Sequence, residues 1–446
     1  MCRTLAGRRD LLAPAAAFPV RYPALLESVL HGTPQARYDI LFGFPQDRLE
    51  LGADGRVRDV HGAVKGTRFL EALDAAWQAE RTPEADDGLP FHGGWVLLLT
   101  YELAREIEPT LALPTSNRMP VAMALRCPVA AIVDHVRGCT SLVAEPGHAA
   151  ELDQLEADLA SADGLPPLPA PLGVTEDEPA RFLDGVARIH QHLRAGDIFQ
   201  VNLSRAWRAT YAEAPPPAAL YAALRRANPA PFAGLLQQPG WAVASSSPER
   251  LLELRHGEAQ TRPIAGTRPR VPGDDDPARI RELVGNVKER AEHVMLIDLE
   301  RNDLGRVCVP GSVAVNELMT VESYTHVHHI VSNVRGRVRN GVTPGQAIAA
   351  VFPGGTITGC PKVRCMQIIA ALEGEPRGAY TGALGYLDRS GELDLNILIR
   401  TLALEGAGVS LRAGAGIVVD SVATRELEET RAKARGLLRA LGVENA

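Results

Sequence analysis

No stretch of this sequence approaches the ~20 consecutive apolar residues of a membrane-spanning helix. Neither sign of charge dominates, since 47 Lys plus Arg face 54 Asp plus Glu for a net −7. That balance gives no basic surface for nucleic acid and no polybasic patch for a bilayer. Cysteine is sparse: Cys2, Cys127, Cys139, Cys308, Cys360 and Cys365 are scattered, none forms C-x-x-C, and no histidine cluster joins them at zinc-ligand spacing. They are read as mostly buried thiols in a reducing compartment. Arg8 and Arg9 precede the apolar run Leu11 to Val20, but Pro14 and Pro19 interrupt it and it is short for a signal core. A cytoplasmic protein is expected.

Two nucleotide motifs are also missing. GGTITGCPK (Gly354 to Lys362) has glycines at phosphate-loop spacing, but Cys360 and Pro361 separate Gly359 from Lys362 and no Ser or Thr follows. RAGAGIVVD (Arg412 to Asp420) lacks the third glycine of a dinucleotide fingerprint, and its glycines precede an apolar run instead of following a strand. No glutaminase nucleophile motif is present.

What remains is a 446-residue chain, 46% apolar, able to bury a large core in about one to three domains. Its clearest seam is DGLPPLPAPLGV, Asp163 to Val174, whose four prolines cannot continue a helix or central strand. The sequence therefore divides into an N-terminal portion 1–162, a linker or crossing 163–174 and a C-terminal portion 175–446. Periodicity predicts helices over Glu151 to Leu159, Arg181 to Ala195, Val287 to Leu299 and Glu426 to Leu441. It predicts strands over Gly94 to Leu99, Ala122 to Leu125, Ala130 to Val133, Val201 to Ala209, Trp241 to Ser245, Gly385 to Leu387, Leu395 to Leu402 and Val409 to Val419. No regular β-α-β rhythm appears, so the expected class is α+β with large antiparallel sheets.

Chemistry concentrates in the C-terminal portion. Glu289 and Glu292 share a helix face, and Glu426 and Glu429 repeat the spacing, with Lys433 a turn further on. Such pairs form either a solvated charged face or, bridged by a cation, an oxygen cage suited to Mg²⁺. Gly266 and Thr267 in PIAGTRPR, Thr356 in the 352–362 loop, and Gly414 and Gly416 lie in Gly- and Thr-rich stretches that can present N–H groups and hydroxyls to an anion. Arg400, within LNILIRTL, either caps a sheet edge or meets a carboxylate. Glu249, in SSSPERLL, is either a salt-bridged loop residue or a buried general acid. His329, in HVHHIVS, reads on its own as a satisfied core histidine.

Taken together, PIAGTRPR, KERAEHVMLIDLERNDLGRV, THVHHIVSNVRG, FPGGTITGCPKVR, and AGAGIVVDS followed by RELEETRAKA, resemble the chorismate-utilising enzymes: anthranilate synthase component I, aminodeoxychorismate synthase component I, isochorismate synthase and salicylate synthase. The likeness covers about Glu178 to Leu441 and, more weakly, the N-terminal portion. It implies an anthranilate synthase component I-like fold, two large antiparallel sheets packed as a sandwich with helices outside. It also implies that Glu292 and Glu429 ligate Mg²⁺ with Glu289 and Glu426 beside them. Gly266 and Thr267 would face the ring carboxylate, Arg400 and Tyr380 the enolpyruvyl carboxylate, with Gly414, Gly416 and Lys433 nearby. Glu249 would protonate the departing 4-hydroxyl, and His329 and Thr356 would line the pocket.

Water-using relatives carry a lysine base where this chain has Gln200, so ammonia from a separate glutamine amidotransferase subunit is the expected nucleophile. RYPALLES, YDILFGFP and GYLDRSGELDLNILIRT look most like aminodeoxychorismate synthase component I, on the route to para-aminobenzoate and folate. Ala265 dissents, because many such enzymes have lysine there; it matches anthranilate synthase, the alternative. A non-catalytic chorismate- or tryptophan-binding regulator would be expected to have lost a metal glutamate or Arg400. LLES, Leu25 to Ser28, resembles the tryptophan-holding segment of anthranilate synthases and reads equally as ordinary helix.

Overall fold

The computed structural model describes residues 1–30, 36–116, 118–162, 164–269, 276–285, 287–323 and 327–443; the side chains of 265, 267–269, 276, 279, 283, 284, 287–289, 323 and 327–329 lie outside that description. Two 12-stranded sheets carry the chain, and the pairings of the described strands are antiparallel. With helices on their outer faces, this is the α+β arrangement the sequence leads one to expect.

Alternation along the strands builds the layers. In Phe232–Gln238, Leu235 joins an outer core with helices Pro217–Ala227 and Ala423–Ala440, whereas Leu236 joins the core between the sheets. In Gly94–Leu99 of the other sheet, Val96 and Leu98 face inward, and Leu97 and Leu99 meet helix Phe69–Glu80 outside. Phe42 of the first sheet and Phe91 meet edge-on across this interior at 4.9 Å, an arrangement favoured by the ring quadrupoles. Strands buried on both faces need unbroken apolar sequence, and GWVLLL supplies it.

Each sheet mixes strands from before and after the Pro-rich stretch. Ala24–Glu27 pairs with Phe232–Gln238 in the first sheet, and Gly94–Leu99 with Ala383–Asp388 in the second. Leu165 and Leu168 pack on the outer core of the first sheet, and the stretch runs into the edge strand Gly173–Glu176. It is thus a crossing over one two-sheet body.

Two expectations need correction. Leu395 to Leu402 is not one strand: Leu393–Asn396 belongs to the second sheet and Thr401–Glu405 to the first. The apolar run is continuous because both halves are buried, which hides the break from periodicity. The LLES segment is strand Ala24–Glu27, not helix. With Glu27 and Ser28 it borders a cavity of about 340 Å³ between the sheets. The cysteines are all free, but only Cys127, Cys308 and Cys365 are fully buried. No helix among the described residues is long and apolar enough to cross a membrane.

Candidate active site

The site forms where the chain passes from one sheet to the other. Glu249 lies between strand Trp241–Ser247 of the first sheet and Arg250–Arg255 of the second. Arg400 closes the return passage, in a left-handed turn at φ 53°. The two crossings are bonded to each other: the Ile397 N–H donates to the Glu249 carbonyl at 3.0 Å, and the Ser246 N–H to the Arg400 carbonyl at 3.1 Å. A buried acid and a half-buried arginine are thereby fixed on adjoining backbone.

Glycine makes the floor. Strand Gln200–Thr210 pairs with Gly408–Ile417, setting Asn202 opposite Gly416 and Ser204 opposite Gly414. A Cβ at Gly414 would stand 2.4 Å from Asn202 Oδ1 and 2.8 Å from the Tyr380 hydroxyl oxygen, and one at Gly416 2.4 Å from Gln200 Nε2. Alternation places Gln200, Asn202 and Ser204 on one face. Among the described residues no donor meets the buried acceptors Gln200 Oε1 and Asn202 Oδ1, a cost of about 1–3 kcal/mol each that a ligand N–H or O–H would relieve. Gly414→Ala is expected to raise the substrate KM about tenfold or more and also to lower the melting temperature, since the added Cβ meets the Leu203 carbonyl oxygen at 2.9 Å and overpacking costs about 1–3 kcal/mol; steady-state kinetics and thermal denaturation measure the two.

Charge converges over this floor. Lys433, on helix Ala423–Ala440, donates to the Gly414 carbonyl at 3.0 Å and pairs with Glu429 at 2.7 Å. Among the described residues no carboxylate pairs with Arg400; its Nη1 reaches only Asn228 Oδ1, at 3.4 Å. Burial pulls the Arg400 pKa down, with Tyr380 opposing. Burial pushes the Tyr380 phenol up to about 12, so it stays neutral. Burial also pushes Glu249 up to about 8; Glu300 adds to the rise, and Thr356, the Ile264 backbone and Lys433 oppose it. Glu249 is therefore a neutral acid at pH 7 within electrostatic reach of Thr356 and Lys433.

Direct contacts thus join Tyr380, Gly414 and Lys433, and Thr356 with Glu249 forms a second group beside them. Gly266 sits at φ 67°, at a register shift between Ala265 and Thr267, opposite Ile330 and His329. The side chains of Thr267, Glu289 and His329 lie outside the described residues. Glu292 is half-buried on helix Val287–Gly305, Glu426 is buried, and Glu429 is exposed beyond its Lys433 pair. Asn202 escaped notice in the sequence. Its signal was alternation with Ser204 opposite two glycines, visible only once the strands are paired.

Residues 27–439 match the model of a chorismate binding enzyme. The chain is 39% identical to aminodeoxychorismate synthase component 1 of Bacillus subtilis, over 94% of this chain and 92% of that protein. It is 40% identical to anthranilate synthase component 1 of Thermus thermophilus, over 98% and 97%. The crystal structure of anthranilate synthase component I from Streptococcus pneumoniae superposes with a TM-score of 0.82 at 30% identity, covering 92% of this chain and 93% of that one. This chain therefore belongs to the chorismate-binding enzyme family.

Proposed function

We propose that the chain is the aminating subunit of an aminodeoxychorismate synthase, converting chorismate and ammonia to 4-amino-4-deoxychorismate and water. The observation that carries this reading is the pairing of a neutral buried acid, Glu249, with a half-buried arginine, Arg400, that has no carboxylate partner among the described residues. Chorismate offers a carboxylate to the second and a leaving hydroxyl to the first. Arg400, Tyr380 and the Gly414–Gly416 floor hold the enolpyruvyl carboxylate, and Glu249 gives its proton to the 4-hydroxyl as the C–O bond breaks. Ammonia needs no base to become a nucleophile, which suits Gln200 in place of a lysine. A separate glutamine amidotransferase subunit would supply it.

Mg²⁺ is the expected cofactor. Glu292 and Glu429 would hold it, with Glu289 and Glu426 beside them. The donor set is all carboxylate oxygen, the chemistry a hard cation takes, and Glu426 and Glu429 stand one turn apart on the helix that packs against the Gly414 strand; Glu292, Glu426 and Glu429 do not all converge within ligand reach of one another in this structure. When bound it would neutralise the ring carboxylate, next to Gly266 and Thr267.

Anthranilate formation is the second reading. Ala265 favours it, standing where many aminodeoxychorismate synthases have a lysine that attacks ring carbon 2. Incubation with chorismate, Mg²⁺ and an ammonium salt separates the two. The expected result is para-aminobenzoate only after a downstream lyase is added, with no earlier pyruvate. Fluorescent anthranilate with pyruvate release moves the assignment to the second reading, and unconsumed chorismate overturns both.

A further inference from the structure

The Arg377 guanidinium has five N–H groups and five acceptors. Nε and Nη2 donate to the Glu373 carboxylate at 2.9 and 2.6 Å. Nη2 also reaches the Asn202 carbonyl at 2.8 Å, and Nη1 the Ile357 carbonyl at 3.1 Å and Thr381 Oγ1 at 3.3 Å. Its centre lies 4.9 Å from the Tyr101 ring and 5.5 Å from the Tyr380 ring. Both members of the ion pair are almost without solvent exposure, at 1% and 2%. Glu373 in turn accepts from the Ser204 N–H and hydroxyl at 2.9 and 2.8 Å and from Arg412 at 3.1 Å.

A buried ion pair is a weak source of stability, because desolvation offsets most of the attraction. Its geometry is more informative. One planar fork ties three segments that each carry part of the site: the strand of Asn202, the turn of Thr356 and the ring of Tyr380. Arg377 touches none of the atoms that would react. We propose that Arg377, held by Glu373, is a positioning residue that sets Tyr380 and Thr356 over the Gly414 floor, and so governs how tightly the substrate is held. This rests on the proposed role of Tyr380 in substrate binding.

Lysine keeps the charge but offers three donors from one point and no plane to stack, so it cannot satisfy this set. In the full-length enzyme, Arg377→Lys is expected to raise the chorismate KM about tenfold or more while kcat stays within about threefold. Glu373→Gln should show the same split more weakly, and it supplies the test where Arg377→Lys does not fold. Tyr380→Phe should raise KM alone but add little on top of Arg377→Lys or Glu373→Gln, because each acts through the phenol. A lowered melting temperature with wild-type KM, or effects that simply multiply, would overturn the proposal. If the wild-type enzyme turns over chorismate but Tyr380→Phe leaves KM unchanged, it is the substrate-binding role of Tyr380 that fails.

Discussion

Glu249→Gln is expected to lower turnover by about 10²- to 10⁴-fold, the usual contribution of a positioned general acid, while leaving the fold intact. Glutamine keeps the shape and removes only the transferable proton. Burial holds this carboxyl at about 8, against 4.5 for an ordinary glutamate. In the folded wild type the acid therefore stays protonated through neutrality, and rates that depend on it should fall as pH rises through about 8. Stability follows the same proton. Between about 4.5 and 8 the folded chain keeps a proton that the unfolded chain has lost, so the group's stabilising contribution is complete below about 4.5 and vanishes as pH approaches 8. Glutamine has no such dependence. The variant should gain on wild type in melting temperature between pH 5 and pH 9, even though its turnover is lost. Thermal melts and steady-state rates across that range test both halves, and a variant with near-wild-type turnover would remove Glu249 from the mechanism.

The second large effect concerns the helix carboxylates. Glu292→Ala and Glu429→Ala are each expected to cost about 10²-fold or more in turnover, on the scale of losing one preorganised electrostatic contact. Neither should unfold the protein, since Glu292 is half-buried and Glu429 has an exposed side chain. Glu428→Ala is the control. It lies on the same helix but is exposed and paired with Arg431 at 2.8 Å, so its rate should match wild type. Wild-type turnover should also disappear when Mg²⁺ is chelated and return when it is restored. Near-normal rates without divalent cations, or equal losses in all three variants, would refute the carboxylate assignment.

The sequence names candidate residues more clearly than it shows how they meet. Helix Pro179–Arg194 and strands Gln200–Thr210 and Gly408–Ile417 follow from periodicity because each has a single buried face or a clear alternation. The break at Arg400 was hidden, since apolar residues on both sides of a sheet crossing read as one strand. The motifs point to Glu249, but only the structure shows the burial that keeps it neutral and the distant Glu300 carboxylate that adds to the rise. Arg377 gave no sequence signal at all. A lone arginine in EPRGAY is unremarkable until Glu373, Asn202 and Ile357 are seen around it.

The account depends most on a carboxyl at Glu249 that carries its proton at neutral pH. Infrared difference spectra between wild type and Glu249→Gln, recorded as a function of pH, observe that proton directly. The expected spectrum has a protonated-carboxyl band at pH 7 that titrates away with a midpoint near 8. A band already lost near the ordinary glutamate range of about 4.5 would contradict it.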